Sequence, residues 1–196
     1  MIIALGSSLG GLRALQTILS ALPDQLGASI VMVQHRRADP DSHLLSLLAR
    51  SCRMPVIEPE DKTPIELDHV YLAPGDYHML VESGWLALSV DAPVSFARPS
   101  IDVLFESVAD AYGPAAIGVM LTSSNHDGAA GLAAIKAAGG RVFVQNPKTA
   151  ESPIGPSAAL AATPVDGVLE LESIAARLIE LCVHMQSLPG RSRRVD

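Results

Sequence analysis

The chain has 196 residues and a formal net charge of -7; 48% of its residues are hydrophobic and only 4% aromatic. This length suits one substantial domain, and the apolar content excludes a disordered chain. The acidic balance argues against a phosphate-backbone binder, and the scarcity of aromatics against a base-stacking platform, so no nucleic-acid partner is expected.

Residues 2–5 are a short apolar run of strand formers. Gly6, Ser8 and Gly10 then make a G-x-S-x-G, with Gly11 behind it. From Leu12 onward, Leu15, Ile18, Leu19 and Leu22 recur at helical spacing. Ser8 therefore sits where a buried strand turns into a helix, beside unpaired backbone N–H groups and the positive end of a helix dipole.

Residues 29–34 form a second apolar strand that ends at His35. The Asp39-Pro40-Asp41-Ser42 stretch signals a turn and a helix start, with the helix continuing over 43–50. A short strand is expected at 56–58 and a clearer one at 70–73. Residues 78–82 and 85–90, joined by Ser83-Gly84, read as an antiparallel hairpin. Ser100 is placed to N-cap a helix over 101–112, with Val103, Leu104 and Val108 as its apolar stripe.

Residues 115–121 are another buried strand, running into a polar loop that ends in Asp127-Gly128. A helix over 129–138 stops at Gly139-Gly140. The rest reads as a strand at 142–145, a short helix at 157–162, a strand at 165–169 and a last helix at 174–185. Residues 1–188 thus form one domain. Residues 189–196, with Arg191, Arg193 and Arg194, read as a flexible basic tail.

Strands that alternate with helices and run continuously apolar indicate an α/β, doubly wound, mainly parallel sheet. Helices cover both of its faces, and the hairpin adds an antiparallel piece. Sites in such sheets lie at the carboxyl ends of strands. Ser8, His35 and Asp127 all fall there. A serine hydroxyl needs a base to act as a nucleophile, and the base needs an acceptor to fix its tautomer. These three residues supply those groups, and the amides opening the first helix are candidate oxyanion donors.

A phosphate-cradle reading of the same loop fails on spacing. The glycines do not form G-x-G-x-x-G, and Gln34-His35 stand where an acidic ribose ligand is wanted. The order Ser–His–Asp also differs from that of α/β-hydrolases. The six histidines show no H-x-x-x-H or H-E-x-x-H spacing, so no metal site is expected. Cys52 and Cys182 read as free thiols in a reducing compartment. No signal peptide and no apolar run of about 18 residues is present. A cytoplasmic chain without membrane insertion is therefore expected.

Several segments together resemble the catalytic domain of the CheB family of chemotaxis protein-glutamate methylesterases. The nucleophile turn spans Gly6 and Ser7 through Gly11, and Gln34-His35 is similar to the histidine motif. Ala73-Pro74-Gly75 with His78-Met79, Arg98-Pro99-Ser100-Ile101-Asp102, and Thr122 through Asp127-Gly128 to Leu132 follow in order. Gln145 through Thr149 completes the set.

The resemblance implies hydrolysis of γ-glutamyl methyl esters on chemoreceptor helices with release of methanol, and in many members deamidation of receptor glutamines. It makes Ser8 the nucleophile, His35 the base and Asp127 the orienting carboxylate, with no cofactor. Leu9, Ser124 and Arg98 are the expected oxyanion and substrate contacts. The family's T-G-M-G-x-D-G loop is altered, with Ser123, Ser124 and Asn125 in place of Gly-Met-Gly. The later G-M-P-R keeps only its proline in Ile154-Gly155-Pro156-Ser157. These departures motivate a rival reading, a weakened homologue that binds a receptor or signalling partner. The first strand begins at Ile2, so a preceding receiver domain is not expected.

Overall fold

Apolar runs with residues alternating to opposite sides need cover on both faces, and the chain supplies it with helices. The computed structural model describes residues 1–37 and 43–187. The first half contains β1 (Ile2–Ser7), α1 (Gly11–Ala21), β2 (Ser29–Gln34), α2 (Leu44–Ser51), β3 (Val56–Ile57), β4 (Thr63–Pro64) and β5 (Val70–Leu72). The hairpin strands β6 (His78–Val81) and β7 (Trp85–Ser89) follow, then α3 (Ile101–Tyr112) and β8 (Ala116–Met120). The chain continues through α4 (Ala129–Ala137), β9 (Arg141–Gln145), α5 (Ile154–Ala162), β10 (Gly167–Leu169) and α6 (Leu171–Ser187).

Seven strands form one sheet in the order β10-β9-β8-β1-β2-β5-β3. Every pairing within it is parallel. The expected α/β doubly wound architecture is therefore present, and the hairpin lies in a separate antiparallel sheet, β4-β7-β6. The period of two is clean in β1. Ile3 and Leu5 face one core with Leu15, Ile18 and Leu19 of α1 and Leu178 of α6. Ile2 and Ala4 face the other, with Leu104, Phe105 and Val108 of α3 and Leu132 of α4. Burial of a ring such as Phe105 contributes roughly 2–3 kcal/mol.

Some boundaries differ from expectation for local reasons. The strand β4 was not foreseen; it is two residues long and includes a proline, which suits an edge. The helix α5 begins at Ile154, and Pro156 is accommodated in its first turn, where an amide partner is not needed. In α3 the buried stripe is Leu104, Phe105 and Val108, while Val103 is only half-buried. The turn expected at Asp39 through Ser42 and the tail at 189–196 lie outside the described residues.

From β1 the chain first builds the sheet outward through β2 and later returns to β1's other side with β8. That reversal puts a topological switch point at β1, where a crevice opens at the carboxyl ends.

Candidate active site

The strands β2, β1 and β8 are adjacent, with Gly6 opposite both Val33 and Met120. The ladder continues past their ends. The His35 amide donates to Ser7 O at 3.0 Å, and the Ser8 amide donates to Thr122 O at 2.9 Å. Backbone pairing alone thus brings Ser8, His35 and the loop carrying Asp127 side by side.

The turn after β1 is fixed by its glycines. Gly10 takes a φ of 78°, a left-handed conformation, as it caps α1. A Cβ on Gly11 would lie 1.8 Å from Gln34 Oε1, so only glycine lets that side chain fold over the turn. Gln34 Nε2 donates to Ser8 O at 2.7 Å, and Ser7 Oγ donates to Gln34 Oε1 at 2.8 Å. Gln34 is thereby a clamp on the turn. Thr122 Oγ1 holds the other side, donating to Leu9 O at 2.8 Å.

His35 is placed by the end of β2 and by its neighbour Arg36, which bonds Glu58 and, at 3.0 Å, Ala73 O. His35 Nε2 lies 2.7 Å from Asp127 Oδ2. Nε2 is therefore the protonated nitrogen when the ring is neutral, which leaves Nδ1 as the acceptor. Ser8 Oγ makes no hydrogen bond to the ring and has no partner among the described residues, a looseness common in sites without substrate. Ser8 and His35 line the same two cavities, of about 650 Å³ and about 1020 Å³.

Asp127 is fully buried, whereas the preceding His126 is exposed. Asn125 Oδ1 accepts from the Asp127 amide at 3.1 Å and closes the turn that points the carboxylate inward. Asp127 Oδ1 accepts from Ser100 Oγ at 2.7 Å and the Asp102 amide at 3.0 Å. Its Oδ2 accepts from the Ile101 amide at 2.7 Å, besides His35. The carboxylate thus caps α3 from outside the helix. Burial alone raises its pKa, but hydrogen bonds from His35, the Asp102 and Ile101 amides and Ser100 outweigh that, and the net shift is downward.

Asp102 answers from α3. Its Oδ1 accepts from the Gly131 amide of α4 at 2.8 Å. Burial pushes the Asp102 carboxyl up to about 6, lowered in part by the Gly131 bond and raised further by the Asp127 charge. Asp127 therefore caps the helix that carries Asp102, and Asp102 caps the helix that follows Asp127. Gln34 and Asp102 both fall within segments that resemble the family's motifs, but nothing in the sequence assigned either residue a role in shaping the site.

The remaining expected contacts separate. Leu9 and Ser124 are exposed and line the smaller cavity, and neither backbone amide has an acceptor among the described residues. Both are free to donate to a developing oxyanion. Arg98 lines the larger cavity, but its Nη1 donates to Val90 O at 2.8 Å and Asp91 O at 3.1 Å. These bonds fasten the loop before α3. Ser123, in the altered loop, is buried and its carbonyl accepts from the Gly155 amide at 2.9 Å. Only Ser124 of the three replaced positions offers an exposed face to both cavities. Among the described residues no cluster of three or more His, Cys, Asp or Glu side chains is placed to hold a metal.

A parallel doubly wound sheet with a serine, an imidazole and a buried carboxylate at adjacent strand ends has the layout of a serine hydrolase domain. The CheB methylesterase model matches residues 3–178. A chain from Leptospira interrogans is 46% identical over 180 residues, which cover 91% of this chain and 93% of the relative. The protein-glutamate methylesterase/protein-glutamine glutaminase 1 of Rhodospirillum rubrum is 38% identical over 187 residues, covering 91% of this chain and 48% of that protein, so this chain spans about half of it. The crystal structure of the Thermotoga maritima CheB methylesterase catalytic domain matches with a TM-score of 0.87 at 32% identity, over 92% of this chain and 97% of that one. The chain belongs to the CheB methylesterase family.

Proposed function

We propose that this chain hydrolyses glutamate γ-methyl esters on chemoreceptor helices, and glutamine γ-amides at the same site. The observation that carries the reading is the 2.7 Å bond between His35 and the helix-capping Asp127, beside Ser8 at the switch point. Ser8 Oγ attacks the ester carbonyl carbon as His35 Nδ1 takes its proton. Asp127 holds the opposite nitrogen and stabilises the imidazolium. The oxyanion is met by the Leu9 and Ser124 amides, each such donor worth about 3 kcal/mol of barrier. Collapse breaks the C–O bond to the methoxy group, which leaves as methanol with the proton from His35. Water then attacks the acyl-serine, giving its proton to His35, and glutamate is released as the serine is reprotonated. With a glutamine substrate, ammonia leaves in the first half.

Methylated chemoreceptor membranes provide the test. Wild-type protein releases methanol from them, and Ser8→Ala abolishes release while circular dichroism stays unchanged. Release that persists in the folded variant overturns the mechanism. The altered loop at Ser123 to Asn125 favours a second reading, a receptor-binding module with little turnover. Retained receptor affinity without methanol release in the wild type would select it.

A further inference from the structure

The chain has three phenylalanines. Phe105 and Phe143 are buried, but Phe96 is 105% exposed, more than any other large apolar side chain among the described residues. It stands on a two-residue hairpin turn closed by the Val94 amide to Ala97 O at 3.1 Å and the Ala97 amide to Val94 O at 2.9 Å. Both central residues, Ser95 at φ 50° and Phe96 at φ 63°, are left-handed. Such a turn favours Asn-Gly, and a bulky aromatic there is strained.

The turn is also rigidly mounted. Arg98 ties the carbonyls of Val90 and Asp91. The buried His78 bridges Ala92 O at 3.2 Å and the Ser100 amide, also at 3.2 Å. Ala97 is buried at the turn's foot. A strained backbone, firmly held, thus presents an aromatic ring to solvent. Its position is not arbitrary, because Phe96 lines the same cavity as Ser8 and His35. The same cavity is lined by Arg36, which is paired with Glu58, by Arg98 with Asp76 beside it, and by the exposed Arg37, a cation with no carboxylate partner among the described residues in a chain of net charge -7.

We propose that Phe96 is a specificity-determining anchor that packs on the apolar face of the substrate helix while Arg37 meets that helix's unesterified glutamates. A ring and a cation lining one cleft fit an amphipathic acidic helix, whose apolar and charged residues recur one turn apart. The ring's contact with the reacting ester is indirect, so it acts on capture of the helix and not on the chemistry. This proposal rests on the methylesterase reading above.

The experiment compares two substrates. On methylated receptor membranes, Phe96→Ala lowers kcat/KM roughly ten-fold or more through KM, the loss expected for a buried ring, and Phe96→Leu restores part of it. On a small activated ester, p-nitrophenyl acetate, both variants match the wild type. A wild type that releases methanol and a Phe96→Ala variant that releases it with unchanged kcat/KM would overturn the anchor while leaving the function standing. Equal losses on both substrates would also overturn it, since the ring would then act on the catalytic groups. A wild type that releases no methanol removes the functional reading and the anchor with it. Size-exclusion chromatography closes one further route: a wild-type dimer that becomes a monomer in Phe96→Ala assigns the ring to a self-interface and overturns the proposal.

Discussion

Asp127 does two tasks with one carboxylate: it orients His35 and caps α3. Asp127→Asn therefore differs from a simple loss of charge. Whichever way the amide is turned, its NH2 group faces a backbone N–H that can only donate, that of Asp102 on one side or of Ile101 on the other. The variant is expected to lose on the order of 10⁴-fold in kcat, because the imidazole loses its enforced tautomer. It should also unfold at a lower temperature than Ser8→Ala, since a buried donor is left unsatisfied at a cost of about 1–3 kcal/mol. Methanol-release kinetics and thermal melts of the two variants side by side check both parts. At this scale the neighbourhood of Ser8, His35 and Asp127 was legible in the sequence, because Ser8 and His35 directly follow apolar runs and Asp127 closes the polar loop that follows a third. The roles of Gln34 and Asp102 were not, because they act through backbone amides and carbonyls of segments far away in the chain. No local spacing encodes a bond from Gln34 to Ser8 O or from Asp102 to the Gly131 amide.

Helix α3 shows how an element carries the site. Ser100 accepts from the Val103 amide at 3.3 Å and donates to Asp127 at 2.7 Å, so the cap predicted from sequence is also part of the carboxylate's shell. Ser100→Ala removes both bonds. A lost cap costs about 1 kcal/mol, which in a domain of this size lowers the melting temperature by roughly 2–4 °C. Activity should fall by a larger factor than stability alone explains, because one donor to the Asp127 carboxylate is gone; a Ser100→Thr variant, which keeps the hydroxyl, should recover most of it. Calorimetry and methanol release on the three proteins test this. The helix itself was readable from its cap and apolar stripe, as were the central strands and the hairpin. The edge strand β4 was not, since two residues including Pro64 carry no period, and it exists only by pairing with Trp85 and Leu86 of β7. Similarly the first turn of α5 was obscured by Pro156, a residue that usually announces a loop but is tolerated at a helix start.

Across the whole molecule, the doubly wound order makes the crevice at β1, and α3 and α4 close beneath it with their N-termini facing a pair of buried carboxyls. That pairing has a consequence for stability against pH. Asp127, whose pKa is lowered in the fold, contributes stability that is present above the ordinary carboxylate range and is lost as pH falls through its folded value. Asp102 works in the opposite sense. Its carboxyl is raised to about 6, so between its unfolded value near ~3.9 and that point the folded protein holds a proton that the unfolded chain has released. Stability therefore declines as pH rises through that window, and above it Asp102 is a buried anion beside another. Asp102→Asn keeps an oxygen to accept from the Gly131 amide and places an amide donor, in place of a charge, beside Asp127. The variant should then melt above the wild type at pH 7.5, with the difference shrinking or reversing at pH 4.5, where the wild-type carboxyl is already protonated. Thermal melts of the two proteins across this range decide the matter. A pH-independent difference would show that Asp102 is ionised throughout and that the Gly131 bond, not a shared proton, sets its state.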